Sequence, residues 1–337
     1  MLAPMNAPAA TDLVLTASLL QLLQWLQREG YGFTTVSPAT HARVNARAGA
    51  DEARGLRDVF GWSRPFAPSL LPQEPMDSLR AGGLLTTHEG GRLRSAVRVS
   101  TLHGRLFAHS AYPTLQSDAV FFGPDTYRFA DLLVQELRDE ALPLHPRILD
   151  VGCGSGAGGI VSALAGGVLP RLALSDINPR ALAFAAANAA HAGFGRAELA
   201  EGDLFQPLQG EFDLIVANPP YLNDGEERLY RHGGGRWGEA LSARIVREGL
   251  PRLRPQGRLI LYTGAVMVDG RDPLLEALRP HLRASGCPWR YRELDPDVFG
   301  EELDEPAYRD AERIAAVALV VQRQDDPMRV HLHPAMA

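Results

Sequence analysis

The apolar run Phe212-Asp213-Leu214-Ile215-Val216-Ala217 stops abruptly at Asn218-Pro219-Pro220-Tyr221, and few architectures admit that junction. A short, branched run bounded by polar residues predicts a buried parallel strand. The two prolines fix their own φ, remove two amide donors and push the residues before them towards extended backbone. The strand therefore ends in a stiff corner at its carboxyl end, where open α/β sheets place their ligands. At such a corner the Asn218 side-chain carbonyl and the Pro219 backbone carbonyl are two nearly fixed acceptors, with Tyr221 a flat face beside them. Two acceptors and a π-face suit a planar –NH2 group, either an amide or a nucleobase amine. The competing reading is a plain proline turn.

Three more strand tips carry acids. Arg147–Val151 reads as a buried strand, followed by Gly152-Cys153-Gly154-Ser155-Gly156 and a helix from Ala157. Glycines let backbone approach a ligand closely, and the following helix start favours negative charge. Residues 154–159 also satisfy the dinucleotide fingerprint G-x-G-x-x-G, so a nicotinamide cofactor competes with S-adenosylmethionine. Asp150, directly before the glycines, suits the amino group of a methionine moiety and would repel a pyrophosphate. Asp176 ends the next strand, where an acid accepts from ribose hydroxyls or merely caps the helix after Pro179. Asp203, after a strand at 197–200, either accepts from an adenine amine, with Leu204 or Phe205 covering the ring, or is a turn aspartate. Four such tips aimed at one crevice outweigh any one of them.

Together these stretches resemble the class I S-adenosylmethionine-dependent methyltransferases. They are most similar to the Asn-Pro-Pro-Tyr branch that includes the release-factor glutamine and small-domain RNA guanine-N2 methyltransferases. DNA amino-adenine methyltransferases share the motif. The resemblance spans residues 119–323 and implies a Rossmann-like α/β fold, a doubly wound seven-stranded sheet whose last strand is antiparallel. It implies that Asp150, Gly152, Gly154 and Gly156 hold the methionine part, Asp176 the ribose, and Asp203 with Leu204 the adenine. Asn218 and Pro219 would hold the acceptor nitrogen, with Tyr221 against it, and Asn218 would also border the cofactor. The implied substrate is a macromolecule, a protein such as a release factor or an RNA, with DNA adenine as the alternative. A nicotinamide-dependent oxidoreductase and a non-catalytic binding module compete from other classes.

Composition narrows the field. All 34 basic residues are Arg and none is Lys, which excludes a Schiff base and a P-loop lysine. The net charge of −6 gives no overall field for nucleic acid. Two cysteines, Cys153 and Cys287, make neither a disulfide framework nor a zinc site, and no metal is expected. The first residues lack a basic n-region and no apolar run reaches membrane length, so a cytoplasmic protein is expected.

Residues 1–118 predict a smaller N-terminal α+β recognition domain. After ten residues without periodicity, helices are expected at 13–30, 51–60 and 76–85, with a proline-rich connector at 65–75. A hairpin over 93–110 turns at His103-Gly104. In it Arg92, Arg94 and Arg98 share one parity and Leu93, Val97 and Val99 the other, which predicts an apolar face and a solvated arginine face. A wing on nucleic-acid phosphates is the sharper reading. This part holds 11 Arg against 9 acids, a net +2 that leaves −8 for the rest. An aromatic-Gly-Pro turn at 121–124, suited to lining a cofactor pocket, leads into a helix with Phe129, Leu132, Leu133 and Leu137 on one face. The loop 223–238, with Arg228, Arg231, His232 and Arg236, suits a mobile lid or an exposed surface loop. The acidic insert 295–310 disfavours a polyanion at that edge. Residues 324–337, including His331 and His333, read as a loose tail.

Overall fold

The computed structural model describes residues 10–114, 116–166, 169–225 and 228–324. The expectations for residues 1–9 and for the tail from 325, with His331 and His333, lie outside the described residues. The N-terminal part comprises α1 (Ala10–Arg28), α2 (Pro38–Asn45), α3 (Leu56–Phe60), α4 (Gln73–Ala81), β1 (Leu85–Thr87), β2 (Leu93–Ser95), β3 (Val97–Leu102) and β4 (Arg105–Ser110). The remainder runs through α5 (Pro124–Asp139), β5 (Arg147–Val151), α6 (Ala157–Ala165), β6 (Arg171–Asp176), α7 (Pro179–His191), β7 (Glu198–Glu201) and β8 (Phe212–Ala217). It ends with α8 (Ala240–Gly249), β9 (Leu253–Met267), α9 (Pro273–Ser285), β10 (Trp289–Asp295) and β11 (Arg313–Gln322).

The seven strands β5 to β11 form one sheet in the order β10-β11-β9-β8-β5-β6-β7. Strand β11 runs antiparallel to both neighbours, as expected. Period-two alternation decides its two faces. Ile148, Leu214 and Val216 point into one core with α5 and α6, while Leu149, Ile215 and Ala217 point into another with α8 and α9. Chain order reverses at β5, which pairs with β6 on one side and β8 on the other. A crevice opens at the carboxyl ends of these strands.

The N-terminal part departs from expectation in its details. The helix expected at 51–60 forms only at α3, because Gly55 stands extended before it. The helix expected at 76–85 starts at Gln73, tolerates Pro75 in its first turn and ends at Gly82-Gly83, so that Leu85 joins a strand. The hairpin turns at His103-Gly104 as expected, but Leu93–Ser95 pairs with β1 instead. Its solvated arginine face is absent: β3 is buried on both sides and Arg98 is 4% exposed. Parity cannot anticipate the second layer, here Phe33 and the segment around it.

The two parts share a core. Leu19, Leu22 and Leu26 of α1 pack with Ala181, Phe184 and Ala187 of α7. Asn188, 1% exposed, fastens the same seam. Its Nδ2 donates to the carbonyls of Ala108 and Ser155 at 2.9 and 2.8 Å, and its Oδ1 accepts from Ala108 N–H at 2.8 Å. It thus ties β4 to the glycine loop after β5. Asn188→Ala leaves three buried backbone groups unpaired and is expected to lower the unfolding free energy by about 1–3 kcal/mol, read by urea denaturation.

Candidate active site

The turn after β5 is left-handed at Gly152, Gly154 and Gly156, with φ of 63°, 52° and 76°, a path that disfavours any side chain. It borders a cavity of about 370 Å³ at the strand tips. Asp150, Gly152, Gly154, Asp176, Asp203, Leu204 and Asn218 all line this cavity. Gly156 does not; it sits beneath the loop, where a Cβ would come within 3.2 Å of Ala185. Pro219 and Tyr221 line a second, smaller pocket of about 70 Å³. Asn218, Pro220, Phe121 and Tyr230 line both, and so form the wall between them. The Phe121 and Tyr230 rings lie parallel within 6°, their centroids 6.2 Å apart.

The acids differ in state. Asp150 accepts from Gly159 N–H at 2.7 Å and is 2% exposed at the cavity wall. Burial, reinforced by neighbouring Asp176, pushes its carboxyl up to about 8. Asp176 accepts from the N–H groups of Gly154 and Asn178, both at 2.9 Å, and burial raises its pKa as well. The cap of α7 is Asn178, whose side chain accepts from Arg180 N–H. Asp203 is held in a bidentate pair by Arg244 at 2.9 and 2.6 Å, a partner on α8 that nothing near Asp203 announces.

The proline corner is braced from below. Tyr221 is buried, and its ring lies where any Cβ on Gly264 would fall, 2.3 Å away. Its hydroxyl donates to Asp125 Oδ2 at 2.9 Å, while Tyr262 donates to Oδ1 at 2.5 Å and Arg128 at 3.2 Å. Asp125, 2% exposed, therefore accepts three donors from its place in the first turn of α5. Burial and this carboxylate hold the Tyr221 phenol well above its ordinary pKa, so it stays neutral.

The loop expected as a free lid is pinned instead. Arg228 and Arg231 pair with Asp224, Arg231 also with Glu302, and Arg236 with Asp310 at 3.1 Å. Tyr230 donates to the Thr114 carbonyl at 2.8 Å. The acidic insert thus directs Glu302 and Asp310 at lid arginines, and its Phe299 lines the smaller pocket, 5.8 Å from the Tyr221 ring centroid. His232 lines the larger cavity. Among the described residues no cluster of His, Cys, Asp and Glu is placed to hold a metal, and no helix is long and apolar enough to cross a membrane.

Comparison with known proteins bears directly on this geometry. Residues 114–267 match the family described as methyltransferase small domain. A release factor glutamine methyltransferase of Bordetella pertussis is 33% identical over 250 residues, covering 70% of this chain and 86% of that protein. The chain belongs to this methyltransferase family. A Deinococcus radiodurans release factor glutamine methyltransferase is also 33% identical, over 62% of this chain and 74% of the relative. Ribosomal RNA small subunit methyltransferase C of Erwinia tasmaniensis is 28% identical over 52% and 51%. The protein is thus an S-adenosyl-L-methionine-dependent methyltransferase with the Rossmann-like α/β fold. The oxidoreductase and binding-module alternatives fall away. In this methyltransferase the sequence pointed to the strand tips, whereas Asp125, Arg244, Tyr262 and Phe299 come into the site from distant segments.

Proposed function

We propose that this methyltransferase modifies a planar amino or amide nitrogen on a macromolecule, a protein glutamine or an exocyclic amine of RNA. The shared wall carries the reading: one residue set borders both the cofactor-sized cavity and the smaller pocket, so a nitrogen in the latter meets the former at Asn218. The donor set suits S-adenosyl-L-methionine. Asp150 is a buried acceptor without a cationic partner among the described residues, and Asp176 presents a carboxylate beside Ile177, while Leu204 adds apolar surface. Asp150, Gly152 and Gly154 would hold the methionine part, with Gly156 shaping the turn beneath. Asp176 would take the ribose, and Asp203 and Leu204 the adenine.

When bound, the cofactor supplies an electrophilic sulfonium methyl. An amide or aryl amine is a poor nucleophile because its lone pair is delocalised. Asn218 Oδ1 and the Pro219 carbonyl accept from the –NH2 group, and those bonds strengthen as positive charge grows on nitrogen. Fixing the nitrogen at the wall supplies much of the remainder. Tyr221, clamped by Asp125, keeps the corner rigid and gives the acceptor plane a surface. Residues up to about 118 would recognise the substrate and residues 119–323 catalyse.

Two kinds of relative support the two acceptors. The Bordetella pertussis glutamine methyltransferase matches 70% of this chain and the Erwinia tasmaniensis ribosomal RNA enzyme 52%. Incubating the enzyme and methyl-labelled cofactor with lysate from a deletion strain tests both. Label should enter macromolecules and be released by protease or by ribonuclease, but not by deoxyribonuclease. Label confined to small molecules or DNA would refute the proposal.

A further inference from the structure

Arg98 lies on β3 inside the N-terminal core, with its Nε and Nη2 making no hydrogen bond. The buried Nε of Arg94 on β2 is also unpaired. Neither arginine has a carboxylate partner among the described residues; Asp58, the acid in this region, is held by Arg64 at 2.7 Å. The Phe33 ring lies 5.6 Å from the Arg98 guanidinium, and an aromatic face offsets only part of the cost of burying a cation. Two of the three neighbouring phenols are engaged, since Tyr31 donates to the Val99 carbonyl and Tyr127 accepts from Thr35 N–H; the third is Tyr112. Burial lowers Arg98 only to about 10, so it remains charged at neutral pH. Burial, together with Arg98 and the further cations Arg64 and Arg94, holds His41 down at about 4, so the imidazole beside them is neutral.

We infer that Arg98 and Arg94 form a binding site for a phosphate group of the substrate chain, an inference that rests on the methyl-transfer reading above. Nε and Nη2 make up one edge of a guanidinium, the edge that meets two oxygens side by side. A carboxylate meets that edge with both of its oxygens. A phosphate keeps a further oxygen for Arg94 Nε. The surroundings link this place to the acceptor pocket. The Tyr112 ring, partly exposed, packs 4.5 Å from the His41 ring, and phosphate binding requires it to give way before the guanidinium edge. Two residues on, the Thr114 carbonyl accepts from Tyr230, which stands in the wall between the two pockets. Tyr127, beside the same arginine, follows Thr126 of the cofactor cavity. A phosphate held here belongs to the strand whose base reaches Asn218.

Thermal unfolding in chloride buffer, titrated with inorganic phosphate, tests the site in the full chain. The parent should gain melting temperature saturably with phosphate. Arg98→Met should melt higher than the parent without phosphate, because an apolar isostere replaces a buried cation, and should no longer respond. Arg94→Gln should melt near the parent and respond about tenfold more weakly. A ribo-oligonucleotide followed by fluorescence anisotropy separates chain phosphate from the free ion: the parent binds it, and Arg98→Met loses about tenfold or more. Cofactor affinity by calorimetry should stay unchanged in both variants, so that loss of this site is distinguishable from failure of the methyl-transfer reading. Equal phosphate responses in all three proteins would overturn the inference. So would a parent that ignores phosphate while Arg98→Met melts lower, or tighter binding of a glutamate-rich peptide than of the oligonucleotide.

Discussion

Asn218→Ala binds S-adenosyl-L-methionine as the parent does and loses about 10²–10³ of its turnover, the scale seen when one preorganised polar contact to developing charge is removed. The split follows from where Asn218 stands. It borders both the large cavity and the smaller pocket, whereas Asp150, Asp176 and Leu204 line the large cavity alone. Its side-chain oxygen therefore matters most as charge develops on the acceptor nitrogen. Asn218→Asp keeps an acceptor but adds a charge at the wall, and should recover part of the loss. Calorimetry for the cofactor and initial rates of label transfer decide the matter. A variant with unchanged turnover would remove Asn218 from the reaction, and one that no longer binds cofactor would make it a cofactor residue instead.

Asp150→Asn should abolish useful cofactor binding. Removing one partner of a buried charge pair costs about 2–5 kcal/mol, or at least about 30-fold in Kd. The pH profile gives a sharper signature. In the free protein burial raises the Asp150 pKa to about 8, so at pH 6 the group is protonated. The cofactor ammonium favours the carboxylate. Binding should therefore tighten as pH rises from 6 towards 8, by about tenfold per unit at first, and level off above. Near pH 7 each binding event releases close to one proton, visible as a buffer-dependent heat. The sign for stability is opposite. The folded pKa lies above the unfolded one, so the free protein binds more protons than the unfolded chain between them and loses stability as pH rises through that window. Asp150→Asn should consequently melt higher than the parent at pH 8 in the absence of cofactor. A flat binding profile in the parent would contradict the assignment, as would a variant that binds normally.

How much of this was legible in the sequence depends on distance along the chain. Each strand tip is a local event: Asp150 precedes its glycines by two residues, and Asn218 precedes its proline by one. Strand, turn and acid can be read within a dozen positions, and a doubly wound sheet follows from their alternation. The bracing of the corner could not be read that way. Tyr221 is held by Asp125, 96 residues away, and Asp203 by Arg244, 41 residues away. Phe299 reaches the smaller pocket from an insert whose acidity was its one conspicuous trait. Arg98 misled because strand parity separates two faces without saying what covers each. The lid arginines misled for a related reason, since their partners Glu302 and Asp310 belong to a later segment.

The clasp made by Asn188 limits how this enzyme can breathe. Linked domains commonly hinge or slide unless their interface is large and apolar. Here leucines of α1 are sunk into α7, and one amide grips both the hairpin edge and the glycine turn. Wide opening of the two lobes would break that grip first. Ligand traffic is then expected at the rim, where the Phe121 and Tyr230 rings stand, so changing aromatic bulk there should alter turnover more than any separation of the lobes.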